Sequence, residues 1–162
     1  MSQGNRIVQH PDRGIKVEGI IAAGQVLKPG TIVQIDPTVA RENNIWTWTR
    51  YDRDANGNRP KGPLIVLTED IHNGGTMTDA YPTGRSRAFG FIPFAGCEIN
   101  LLKGDVTGTG DDFAKGDLLI PVDATGKVIL TTGSPEVEIA MCLETVTDPT
   151  ADVLVHCVWT GY

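Results

Sequence analysis

Apolar residues along this chain recur mostly at every second position, in short stretches separated by Gly-, Pro- and Asn-marked turns, which is the period of β-strands. Gly14-Ile15-Lys16-Val17-Glu18-Gly19-Ile20 alternates as a half-buried strand does. Lys28-Pro29-Gly30 then supplies a turn, with Pro presetting φ and Gly accepting a positive one. Strands follow at 31–35 and at 45–51, where Ile45-Trp46-Thr47-Trp48-Thr49 sets aromatic residues on one face and threonines on the other. Leu64-Ile65-Val66-Leu67 is continuously apolar, the mark of a strand covered on both faces. Further strands are predicted at 87–94, 97–102, 117–120, 127–131, 138–144 and 152–159. Asp36-Pro37 is the one good helix start and predicts a short helix over 38–42, ended by Asn43-Asn44. The expectation is an all-β fold, a compact barrel or sandwich of short antiparallel strands with one short helix.

Residues 1–13 stand apart as a polar segment with only Ile7-Val8 to bury, and are expected to form a flexible N-terminal arm on a single β domain over 14–162. Inside that domain there is an echo. Leu64-Ile65-Val66-Leu67-Thr68-Glu69-Asp70-Ile71 matches Ile139-Ala140-Met141-Cys142-Leu143-Glu144-Thr145-Val146, and each follows a Gly-led strand (Gly30-Thr31-Ile32-Val33, Gly116-Asp117-Leu118-Leu119). The last two strands read as an antiparallel hairpin. If Thr147 and Asp152 flank its loop, constant position sums place Cys142 opposite Cys157.

The formal net charge of −6, with no Lys/Arg cluster, argues against DNA or an anionic membrane as a partner. No apolar run approaches the length of a bilayer span, and the start Met1-Ser2-Gln3-Gly4-Asn5-Arg6 lacks a hydrophobic signal core, so synthesis in the cytoplasm is expected. Cys97, Cys142 and Cys157 have no metal-ligand spacing and read as reduced, buried apolar residues.

Chemistry is sparse. His10, His72 and His156 are far apart, and no nucleophile–base–acid pattern accompanies them, so no catalytic residue is assigned. Asp52-Arg53-Asp54-Ala55-Asn56-Gly57-Asn58 has oxygen ligands at alternate positions, as a calcium loop begins, but Pro63 stands where the bidentate Glu belongs. A hairpin tip on Asn56-Gly57 is the simpler reading, and neither metal nor cofactor is expected. The Gly-rich run 104–110 lacks the Lys-Ser/Thr of a phosphate loop. Trp46, Trp48, Tyr51 and Tyr81 suit either core packing or an aromatic platform for a glycan.

The order of these phrases resembles the head decoration (cement) proteins of tailed bacteriophages, the lambda-type family and its longer relatives. The carrying residues are Ala23-Gly24-Gln25-Val26-Leu27-Lys28-Pro29-Gly30-Thr31-Ile32-Val33, Tyr51-Asp52 with the 54–57 turn, and Gly62-Pro63-Leu64-Ile65-Val66-Leu67-Thr68-Glu69-Asp70-Ile71. The Gly-containing strand at 89–94 adds to them, as does the stretch from Lys115-Gly116-Asp117-Leu118 to Thr125-Gly126-Lys127-Val128. The chain is longer than the short members, with larger loops at 46–60 and 72–85. The resemblance implies a β-tulip fold and a homotrimer on the outer surface of the virion capsid at three-fold or quasi-three-fold positions. It also implies an arm reaching the major capsid protein, carried here by Asn5, Arg6, Ile7, Val8, Gln9 and His10, and no catalysis. The competing readings are a head-fibre or tail-associated module that recognises a host glycan, and a small enzyme with a histidine assembled through space.

Overall fold

The computed structural model describes residues 6–9, 11–52, 62–70, 74–82, 87–104, 112–131, 137–147 and 152–161. Ten strands run through them: β1 (Gly14–Ile21), β2 (Ile32–Ile35), β3 (Trp46–Arg50), β4 (Ile65–Leu67), β5 (Arg87–Pro93), β6 (Glu98–Leu102), β7 (Leu118–Pro121), β8 (Val128–Leu130), β9 (Ala140–Cys142) and β10 (Leu154–Trp159). Each lies within or one residue beyond a predicted strand, and the fold is all β.

The first five strands close into a barrel in the order β1-β3-β2-β4-β5, and the other five form a sheet in the order β6-β10-β9-β7-β8. The expectation of purely antiparallel pairing fails at one seam. The β1–β3 pair that closes the barrel is parallel, with Ile21 opposite Trp48.

Side chains alternate across a strand, so the barrel strands present two apolar faces. Val17 and Ile21, Val33 and Ile35, Trp46 and Trp48, Ile65 and Leu67, and Ala88 and Ile92 form one cluster, the filling of the barrel. Ile32, Val66 and Phe91 belong to the opposite faces of β2, β4 and β5. They join Ile99, Leu101, Leu119, Ala140, Val155 and Trp159 of the second sheet in a larger core. This explains the uninterrupted apolar run at Leu64–Leu67, since residues of both parities are buried in one core or the other.

The sequence echo is a repeat of topology. β2 pairs with β3 and β4, β4 with β5, and β5 with β1; correspondingly β7 pairs with β8 and β9, β9 with β10, and β10 with β6, all antiparallel. Ile32 faces Val66 as Leu118 faces Met141. The bond from Gly30 N–H to the Leu67 carbonyl (2.8 Å) has its counterpart from Gly116 N–H to Cys142 (2.8 Å), and Thr68 to Phe89 (3.0 Å) has its counterpart in Leu143 to His156 (2.9 Å). Even the parallel seam is echoed, by an isolated parallel bridge between Lys103 and Val128 where the barrel pairs Ile21 with Trp48. The chain is therefore two five-stranded units of one plan, the first closed and the second joined at its seam by that single bridge.

Two further sequence expectations are corrected. No helix forms at 38–42: the Asp36 carboxylate accepts from Thr38 N–H (2.9 Å) and hydroxyl (2.6 Å), a local Asx turn. Glu42 and Ile45 then exchange backbone bonds across Asn43 and Asn44, both at positive φ (50° and 66°), as in a two-residue hairpin. Five residues are too few to nucleate a helix against such local competitors. The segment at 6–9 is also not a free arm. Ile7 and Val8 are 0% and 8% exposed and lie in the larger core.

Candidate interaction surface

Residues 6–9 run antiparallel to β6, the edge strand of the second sheet, with Val8 bridged to Ile99. Asn100 N–H donates to the Ile7 carbonyl (2.7 Å), its side-chain amide donates to the Arg6 carbonyl (2.7 Å), and Gln9 N–H donates to Glu98 (3.0 Å). Ile7 N–H reaches the Glu69 carboxylate of the first unit at 3.3 Å. The segment thus covers the part of the β6 edge that precedes the Leu102 N–H bond to Gly30 (3.0 Å), and ties the two units together. In such a ladder backbone groups point alternately to the two sides, so the Val8 N–H and C=O face away from β6.

Beside the segment runs a mostly apolar groove of about 300 Å³, lined by Arg6, Val8, Pro11, Lys16, Glu69 and Phe89 among others. The sequence named Asn5, Arg6, Ile7, Val8, Gln9 and His10 as the contact residues. Arg6 is exposed and Gln9 half-buried, whereas Ile7 is committed to the protein's own core. Asn5 and His10 lie outside the described residues.

The aromatic platform does not form. Trp48 is 1% exposed inside the barrel, and Tyr51 and Tyr81 are buried. The Tyr81 hydroxyl donates to the Thr68 carbonyl (2.9 Å) and accepts from Phe89 N–H (3.2 Å), and burial pushes its pKa up to about 12. Only Trp46 of the four stays half-buried, with the Arg41 guanidinium 3.9 Å from its ring centre. His156 sits with Nε2 3.3 Å from a Glu98 carboxylate oxygen, an ion-pair distance without hydrogen-bond alignment, while its backbone N–H donates to the Glu144 carboxylate (2.7 Å). His72, residues 53–60 of the acidic loop and residues 105–110 of the Gly-rich run lie outside the described residues.

One polar cluster escaped the sequence reading because its members are far apart in the chain. At the junction of the units Asp152, held at a φ of 77°, accepts from Lys127 (2.6 Å) and Lys28 (3.2 Å). Burial raises the Asp152 pKa, and the two lysine hydrogen bonds outweigh it, leaving the carboxyl below its ordinary value. Nearby, Lys103 is fully buried with its ammonium 5.3 Å from the Phe113 ring centre, at the position that Ile21 holds in the first unit.

No protein-family model matches the chain, and no curated protein sequence is similar to it.

Proposed function

We propose that this chain is a structural protein of a tailed-bacteriophage virion. In this reading it assembles as a homotrimer, sits on the outside of the head at three-fold or quasi-three-fold positions, and stabilises the mature shell without catalysis. The support is the run of phrases that resembles the decoration proteins. In the fold those phrases supply the turn before β2, the doubly covered β4 and the central part of β5.

The observation that carries the reading is the placement of residues 6–9. They are held against β6 by the Val8–Ile99 bridge, with Arg6 and Val8 lining an apolar groove. A strand of the major capsid protein added there would gain main-chain hydrogen bonds, and Arg6 and Gln9 would flank it. Shell contact by Ile7 is not part of the proposal, because that side chain is already buried. Three such edges in one trimer would bind with avidity.

Light scattering on the purified chain tests the assembly. The expected mass is three times the 17.4 kDa of one chain. A stable monomer at micromolar concentration would contradict the trimer.

A further inference from the structure

We propose that Cys142 and Cys157 form a modification site: a paired dithiol in the second unit that closes to an intramolecular disulfide on meeting a small-molecule disulfide of the glutathione class. The proposal stands apart from the capsid reading. The two residues face each other across the β9–β10 ladder. Leu143 N–H donates to His156 C=O (2.9 Å) and Thr160 N–H to Ile139 C=O (2.9 Å), which makes 143/156 and 139/160 hydrogen-bonded pairs. By alternation 142/157 is a non-hydrogen-bonded pair, the closer of the two kinds, with Cα atoms typically about 4.5 Å apart. That spacing falls at the near end of the range a disulfide spans, about 4.4–6.8 Å.

Both thiols are buried, Cys142 donating to the Glu144 carbonyl (3.0 Å) and Cys157 to the Val155 carbonyl (3.3 Å). The barrel counterparts of the pair are Leu67 and Gly90, opposite each other in the β4–β5 ladder. The shared plan is thus satisfied by a large–small apolar pair, and the dithiol belongs to the second unit alone. Cys97 precedes β6, and its carbonyl accepts from Trp159 N–H, which gives an internal control thiol.

The chemistry balances without any group outside the reactants. A Cys142 thiolate attacks one sulfur of the oxidant and releases one low-molecular-weight thiolate. Cys157, on losing its proton, attacks the Cys142 sulfur of the mixed disulfide and releases the second. The protein loses two hydrogens, and the oxidant becomes two thiols. The neighbouring Cys157 side chain lowers the Cys142 pKa, which suits Cys142 to the first step. β9 is three residues long, so local opening of this strand admits the oxidant. The bond then staples β9 to β10 and constrains the unfolded chain between them.

The test equilibrates the full chain with reduced and oxidised glutathione, once folded and once through unfolding and refolding, then alkylates and maps the thiols. The expected product is lighter by two hydrogens, has only Cys97 alkylated, joins the Cys142 and Cys157 peptides, and melts up to about 10 °C higher than the reduced form. Cys97→Ser should retain the bond and Cys142→Ser should abolish it. A refolded, equilibrated protein with all three thiols alkylated would overturn the proposal. A bond to Cys97, or a lasting glutathione adduct with no internal bond, would overturn it equally.

Discussion

A Cβ built on Gly19 would stand 2.1 Å from Cε2 of Trp48, so the backbone of β1 lies directly on the indole that fills the barrel. Gly90 makes the matching approach from β5, where a Cβ would stand 3.0 Å from Cη2 of the same ring. A narrow five-stranded barrel has room for one such ring only where the facing strands carry no side chain. Gly19→Ala should therefore cost about 1–3 kcal/mol by over-packing. Trp48→Phe should be less costly in the Gly19→Ala background than in the native one, because the smaller ring relieves the clash. Urea denaturation of the four proteins of the cycle checks this, and strict additivity would contradict it.

Ile7 behaves as a core residue. Ile7→Ala should destabilise the protein by about 2–4 kcal/mol, the usual range for truncating a fully buried aliphatic side chain. A frayed terminal segment would lose under about 0.5 kcal/mol. Chemical denaturation separates the two outcomes, and proteolysis of the variant should show earlier cleavage near residues 6–13.

Tyr81 sets an alkaline limit. Burial raises its pKa from 10.0 to about 12, with the Phe89 amide hydrogen bond acting against the rise. The sign follows from linkage. The raised folded-state value contributes stability that is fully present below pH 10 and is lost as pH climbs towards 12. The stability advantage of the native protein over Tyr81→Phe should shrink by about 2–3 kcal/mol across that window. A pH-independent difference between the two proteins would contradict it.

How much of this was legible in the sequence depended on whether the determinant was local. Every strand was, because period-two alternation and Gly/Pro turns are written in neighbouring residues. The Cys142–Cys157 register was also legible, since a short hairpin loop fixes position sums along both of its strands. The repeat left only weak traces in the sequence, at 64–71 and 139–146 and in the Gly-led strands before them, because hydrogen-bond topology constrains residue identity little. Leu67 and Cys142 hold the same place with different side chains. The helix at 38–42 failed because Asp36 and the Asn43-Asn44 pair favour turns as strongly as caps. The docking of Ile7 was invisible because its partners, Glu69 and Asn100, are distant in the chain. The Lys28–Asp152–Lys127 cluster was invisible for the same reason.

The proposed function is tested most directly by co-sedimentation with expanded, undecorated heads of tailed bacteriophages, comparing the native protein with Val8→Pro. Val8 does not donate to β6, so proline there removes the outward N–H while leaving the bonds of Ile7 and Gln9 in place. The account predicts saturable binding of the native trimer at whole multiples of three chains, and much weaker binding by a Val8→Pro trimer at a temperature where light scattering shows that it is still assembled. Val8→Ala, which trims the same buried side chain but keeps the N–H, separates the loss of core packing from the loss of the backbone donor. Heads that pellet without the native protein at saturating concentration would contradict it.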